Sequence, residues 1–154
     1  MSVVVCLARE AKPMKPLLAL LIAVGAAVML ARLSNPQIAR SQDACTSGSF
    51  QGSYGYTFTG TTTDVTSYAA TGRLVADGQG KLYGAETESL DGDIFQRTYT
   101  GRYSVNADCT GSEFTSDNFG AATRCDFVIV DGGREIHVIE ADTGTVIVGC
   151  LRRQ

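Results

Sequence analysis

The sequence predicts an all-β chain: an antiparallel eight-stranded up-and-down barrel, with a β-sandwich as the alternative, behind an N-terminal signal or anchor helix. Three observations carry the prediction. From Cys45 onward, apolar residues recur with period two and not with the helical period. Turn signals such as Asp91-Gly92 and Asp131-Gly132-Gly133 break the chain about every 12–15 residues. Every connection is short, so consecutive strands should pair, and closure of eight such strands removes the exposed edges of a long sheet.

The first element is set apart. Arg9, Lys12 and Lys15 precede an unbroken apolar run over residues 17–30. Fourteen residues at the helical rise span about 21 Å, short of the roughly 30 Å hydrocarbon core. A basic stretch followed by such a run reads as a secretory signal. Met14 as a start would give the more ordinary MKPLLALL, and cleavage is expected after Ala39 or Ala44. Retention as an uncleaved anchor is the alternative, since Arg32 and Arg40 follow the run. A lipidated Cys45 fits less well, because no Leu stands three residues before it. Residues 1–44 are therefore assigned to signal or anchor plus linker, and 45–154 to one barrel domain, exported to the periplasm or the medium.

Eight strands follow, over 51–60, 67–76, 81–90, 93–105, 110–116, 121–130, 134–141 and 145–153. With Asp91-Gly92 as a two-residue loop, Glu86 faces Arg97 and Glu88 faces Phe95. Phe95, Arg97, Tyr99, Gly101, Tyr103 and Val105 then share one face. That face is mostly aromatic and should point inward, carrying Glu86 and Glu88 with it. Two buried charges cost several kcal/mol each unless paired or wet, so Glu86 and Arg97 either line a pocket or bridge one barrel end. The Gly132-Gly133 loop pairs Ile129 with Ile136 and Cys125 with Glu140. A loop over 142–144 pairs Val138 with Val148 and Ile136 with Cys150. The inward face would then hold Cys125, Phe127, Ile129, Ile136, Val138, Val146, Val148 and Cys150. Val128, Val130, Ile139, Ile147 and Leu151 would lie outside with His137. Both faces are apolar, which fits cover by a partner subunit or the N-terminal segment, or merely the strand preference of β-branched residues.

Four cysteines remain in the exported part, Cys45, Cys109, Cys125 and Cys150, and an even number in an exported chain points to two disulfides. If 117–118 turns the fifth strand into the sixth, Cys109 falls near Cys125; closure of the first strand on the last brings Cys45 near Cys150. The expected pairs are Cys45–Cys150 and Cys109–Cys125, with Cys45–Cys109 as runner-up.

Gly52-Ser53-Tyr54 opens the first strand and Arg152-Arg153 closes the last. This resembles the calycin barrels (lipocalins, avidins, fatty-acid-binding proteins), which carry Gly-x-Trp on the first strand and a late basic residue packed over it. The resemblance implies that Tyr54 stands for the Trp and Arg152 or Arg153 for the basic residue. The chain has no Trp, which argues against an avidin-like biotin site. GSYGYTFTG, VADGQGKLYG, TYTGRYSVNADCTGS and FVIVDGGREIHVI also resemble small exported bacterial proteins of unknown function, which implies export and a β fold but no activity.

Composition narrows the function. The segment from Cys45 onward has eight basic and fourteen acidic side chains, near −6. That excludes non-specific nucleic-acid binding, which needs a basic surface. One His and no C-x-x-C remove the common zinc patterns. Glycines precede no helix, so no phosphate loop is present. No catalytic residue, metal site or cofactor is assigned. The expected role is a binding module for a small, partly apolar ligand, held among Tyr54, Tyr56, Phe58, Tyr99 and Tyr103, with Arg97 as polar anchor and Glu86 beside it. Membrane contact is expected through the N-terminal segment alone. A structural or interaction module with a filled barrel, self-associating or docking a partner protein, is the main rival. A barrel enzyme using Glu86 or Arg97 is the third. Small inward residues, Ala70, Gly72, Gly84 and Gly101, should leave space if a ligand is bound.

Overall fold

The computed structural model describes residues 44–154; the expected signal or anchor, apart from Ala44, lies outside the described residues. Eight strands follow a 3-10 turn, Ser47–Ser49, and a second such turn, Asp131–Gly133, lies between the sixth and seventh. The strands are β1 (Gln51–Thr62), β2 (Tyr68–Asp77), β3 (Lys81–Leu90), β4 (Asp93–Val105), β5 (Thr110–Asp117), β6 (Ala122–Val130), β7 (Glu135–Glu140) and β8 (Thr145–Arg153). Each strand pairs antiparallel with the next and β8 pairs with β1, so the sheet closes as an up-and-down barrel. The sandwich alternative falls.

The β3–β4 and β6–β7 registers are those the turns predict: Glu86 faces Arg97 and Ile129 faces Ile136. Two others differ. Between β7 and β8 the connection runs over four residues, 141–144, not three, and Ile136 faces Leu151 instead of Cys150. A one-residue shift turns a strand inside out. Ile147 and Leu151 are therefore core, while Val146 and Val148 are exposed and Cys150 sits on the outer wall opposite His137. Between β5 and β6 the turn is longer than two residues. Asp117 Oδ1 accepts from the amides of Phe119 (2.9 Å) and Ala121 (2.8 Å), and Gly120 takes φ +86°. Glu113 thereby faces Cys125.

These registers decide the disulfides. Cys125 points into the barrel and Cys150 sits partway along the outer wall, out of reach of the predicted partners. Cys109 lies instead in the β4–β5 turn, and the amide of Cys45 donates to Ala107 O there (3.1 Å). The bond formed is Cys45–Cys109, with Cα atoms 5.0 Å apart. It pins the chain before β1 across one end of the barrel.

The β2–β3, β4–β5 and β6–β7 turns share that end, and Phe50 closes it. Its ring is fully buried against Tyr54 (5.3 Å between centroids), Tyr103 (4.9 Å) and Phe127 (5.2 Å). Arg153 lies over the Tyr54 ring, 5.9 Å from its centroid. The inward glycines hold no empty space. A Cβ on Gly72 would meet the Tyr56 hydroxyl at 2.6 Å, and one on Gly84 would meet the Tyr99 hydroxyl at 2.3 Å. Each glycine is the cross-strand partner of the tyrosine that fills it, an aromatic laid over a bare stretch of backbone.

Candidate functional site

The interior is divided. The end closed by Phe50 is filled by the buried rings of Phe50, Tyr54, Tyr103 and Phe127, whereas the end formed by the β1–β2, β3–β4, β5–β6 and β7–β8 turns keeps a cavity of about 240 Å³. Tyr56, Phe58, Glu86, Arg97 and Tyr99 all line it. Tyr54 and Tyr103 do not. The Tyr54 hydroxyl donates to Gly133 O (2.9 Å) and the Tyr103 hydroxyl to Phe50 O (2.8 Å), so both belong to the plug at the other end. They lie toward the starts of β1 and the end of β4, while the cavity lies toward the opposite turns.

Alternation places the lining side chains. Tyr56 and Phe58 follow Tyr54 inward on β1, Glu86 and Glu88 alternate on β3, and Arg97 and Tyr99 alternate on β4. The hydroxyls form a chain: Tyr99 donates to Tyr56 (2.8 Å), and Tyr56 donates to Glu86 Oε2 (2.9 Å). Tyr68 donates to Glu88 Oε1 (3.3 Å). Arg97 is no free anchor for a ligand. Its guanidinium is ion-paired with Glu88 and Asp117 and lies under the ring of Phe119, 5.0 Å from the centroid. It faces Glu86 in the ladder, yet its charge is satisfied by other carboxylates.

Several lining groups escape sequence reading: Tyr68, Glu113, Asp117, Cys125 and Glu140 all border the cavity. Glu113 and Cys125 are nearly inaccessible to solvent. Burial pushes the Glu113 carboxyl up to about 7, opposed by a hydrogen bond with the Cys125 thiol. Its Oε2 has no hydrogen-bond partner in the described structure. Burial also pushes Glu86 up to about 7, against the lowering effect of the Tyr56 hydroxyl, with Glu88 adding to the rise. Glu140 is raised by burial and by Asp142. The Cys125 thiol is raised by burial and by Glu113, which makes it a poor nucleophile. Asp117 is the exception. Burial works to raise it, but Arg97 and two backbone amides hold it below the usual carboxylate range.

Replacing Arg97 with Leu leaves Glu88 and Asp117 uncompensated at the mouth. The loss expected at pH 7 is about 2–3 kcal/mol, below the full cost of a deeply buried pair because this end is partly wet. A depressed Asp contributes stability above its unfolded pKa and loses it as pH falls. The gap between wild type and Arg97→Leu should therefore narrow below about pH 4 in urea unfolding.

On the outer wall, Glu135, His137 and Cys150 bring donor atoms within 4.8 Å of one another, the one group among the described residues that could hold a metal ion. His137 Nε2 lies 3.0 Å from Glu135 Oε1. Neither C-x-x-C nor multi-His spacing announces this group; its signal is an alternate pair on β7 faced by a cross-strand Cys on β8. The same wall exposes Val128, Ile139, Val146 and Val148.

No family model matches the chain, and no curated protein matches it. Among solved structures, the redesigned beta barrel b11L5F_LGL is similar, with a TM-score of 0.52 at 14% identity over 73% of this chain and 98% of its own. The redesigned beta barrel mFAP1, bound to DFHBI, is similar with a TM-score of 0.51 at 16% identity over 70% of this chain and 98% of its own. At these identities the likeness shows the barrel fold.

Proposed function

We propose that the protein is an exported, cup-shaped barrel that holds a small, partly apolar molecule in its open half. The observation that carries this reading is the divided interior: one half packed around Phe50, the other left as an aromatic and acidic cavity of about 240 Å³. Concave sites lined by apolar rings and a few polar groups suit small ligands. The mFAP1 barrel, similar in fold, has DFHBI bound. Export is supported by the basic and apolar N-terminal pattern and by the Cys45–Cys109 bond, which needs an oxidising compartment to persist. A second reading, a barrel that works through its wall, is favoured by the exposed Val128, Ile139, Val146 and Val148.

The neutral, solvent-sensitive dye prodan separates the two. The cup reading expects saturable, blue-shifted emission that Thr123→Phe abolishes while the circular dichroism stays unchanged, because Thr123 lines the cavity. Dye uptake that survives Thr123→Phe, or no saturable uptake at all, would count against the cup and for the wall.

A further inference from the structure

Five carboxyls line the cavity, Glu86, Glu88, Glu113, Asp117 and Glu140, with one guanidinium, that of Arg97. Arg97 is used up on Glu88 and Asp117. None of the described ion pairs includes Glu86, Glu113 or Glu140. Glu113 is 93% buried on this account, at 7% exposure, and its Oε2 has no donor. A buried acceptor left unpaired costs on the order of 1–3 kcal/mol, more when it is charged. Glu113 is among the residues that line the cavity, so a donor bound there comes beside its carboxyl. Water would satisfy the oxygen but not the surplus negative charge. Tyr99 lies within electrostatic reach of both Glu86 and Glu113. The rings of Tyr56, Phe58, Tyr68 and Tyr99 present faces that attract cations.

We infer that the cup selects a small organic ammonium, its nitrogen set beside the Glu113 and Glu86 carboxyls and its apolar part lying against Phe58 and the tyrosines. The inference rests on the cup reading above and gives its ligand class. A bare divalent ion fits less well: Arg97 shares the cavity, and the described group whose donors converge to metal-ligating distance is on the outer wall. Binding should strengthen as the carboxyls ionise. Glu113 is faced by Tyr103 of β4 and Cys125 of β6, with Tyr99 of β4 within electrostatic reach and Glu140 of β7 paired beyond Cys125. Glu86 is faced by Tyr56 of β1, Tyr68 of β2, Arg97 and Tyr99 of β4, and Glu88 on its own strand. Burial raises the four phenols nearest these groups, Tyr56, Tyr68, Tyr99 and Tyr103, and the Cys125 thiol, so they keep their protons near neutrality.

The test is calorimetric titration of the protein, purified from an oxidising compartment, with three probes of one shape: phenethylamine, 2-phenylethanol and phenylacetate. The ammonium should bind at least tenfold tighter than the alcohol at pH 8, with the carboxylate weakest. The preference should shrink at pH 6, and Glu113→Gln should bring the ratio of the two affinities close to one. Glu86→Gln gives a second variant should Glu113→Gln fail to fold. Equal binding of amine and alcohol would overturn the ammonium inference and leave the cup reading standing. If none of the three binds and prodan does not either, both fall. Displacement of phenethylamine by millimolar calcium would replace the ammonium with a metal ion.

Discussion

Replacing Cys45 and Cys109 together with serine should lower the unfolding free energy by about 4 kcal/mol, the loop-closure value for a link across 64 residues. The bond ties the chain ahead of β1 to the β4–β5 turn. Without it, the segment is held by the buried Phe50 ring, the Ser47–Ser49 turn, the Cys45 amide on Ala107, and the carbonyls that accept from Tyr103. The variant should therefore fray at this end before the ladder gives way. Urea unfolding measures the loss, and amide exchange at β1 and β4 locates it. A loss under about 1 kcal/mol would mean that the ladder alone holds the closed end.

Phe50→Ala should cost about 3–5 kcal/mol, the range for truncating a fully buried aromatic. Among the described residues, Phe50 is the one ring that touches Tyr54, Tyr103 and Phe127 together. Neighbours in a closed barrel cannot collapse into the vacated space without breaking ladder pairs, which keeps the cost at the upper part of that range. The substitution should also open the closed end toward the cavity, so prodan bound in the open half should be released faster. Unchanged stability would show that Phe50 is a loose lid and not the plug of the core.

Much of the barrel is legible in the sequence, because turn chemistry and alternation agree over most of it. Asp91-Gly92 and Gly132-Gly133 set two registers without help from packing. The β8 register is not legible. Val-Ile-Val-Gly-Cys-Leu is apolar on both faces, so hydrophobic alternation cannot choose, and a four-residue turn puts Ile147 and Leu151 inside and Val148 outside. The expected disulfides fail on two other registers: β1–β8 closure sets Cys150 opposite Thr57, well inside the strands, and the longer β5–β6 turn sets Glu113 opposite Cys125. At the site, alternation on β1, β3 and β4 was enough to bring Tyr56, Phe58, Glu86, Arg97 and Tyr99 to one cavity. Alternation does not tell one end of the barrel from the other, so it groups Tyr54 and Tyr103 with them. β5 misleads outright: Phe114 is 57% exposed and Glu113 7%. There the ladder overrides hydrophobicity, and a local rule broken by a closed fold is where a functional group is to be sought. Phe50 escaped notice because it lies between elements, in no periodic segment.

The most direct test of the cup is amide chemical-shift mapping with prodan. The account predicts saturable shifts at Tyr99, Glu113, Thr123 and Cys125, with Tyr54 and Tyr103 at the plugged end unmoved. Shifts confined to the outer wall, at Val128, Ile139 and Val148, would contradict it and assign the binding surface to the outside of the barrel.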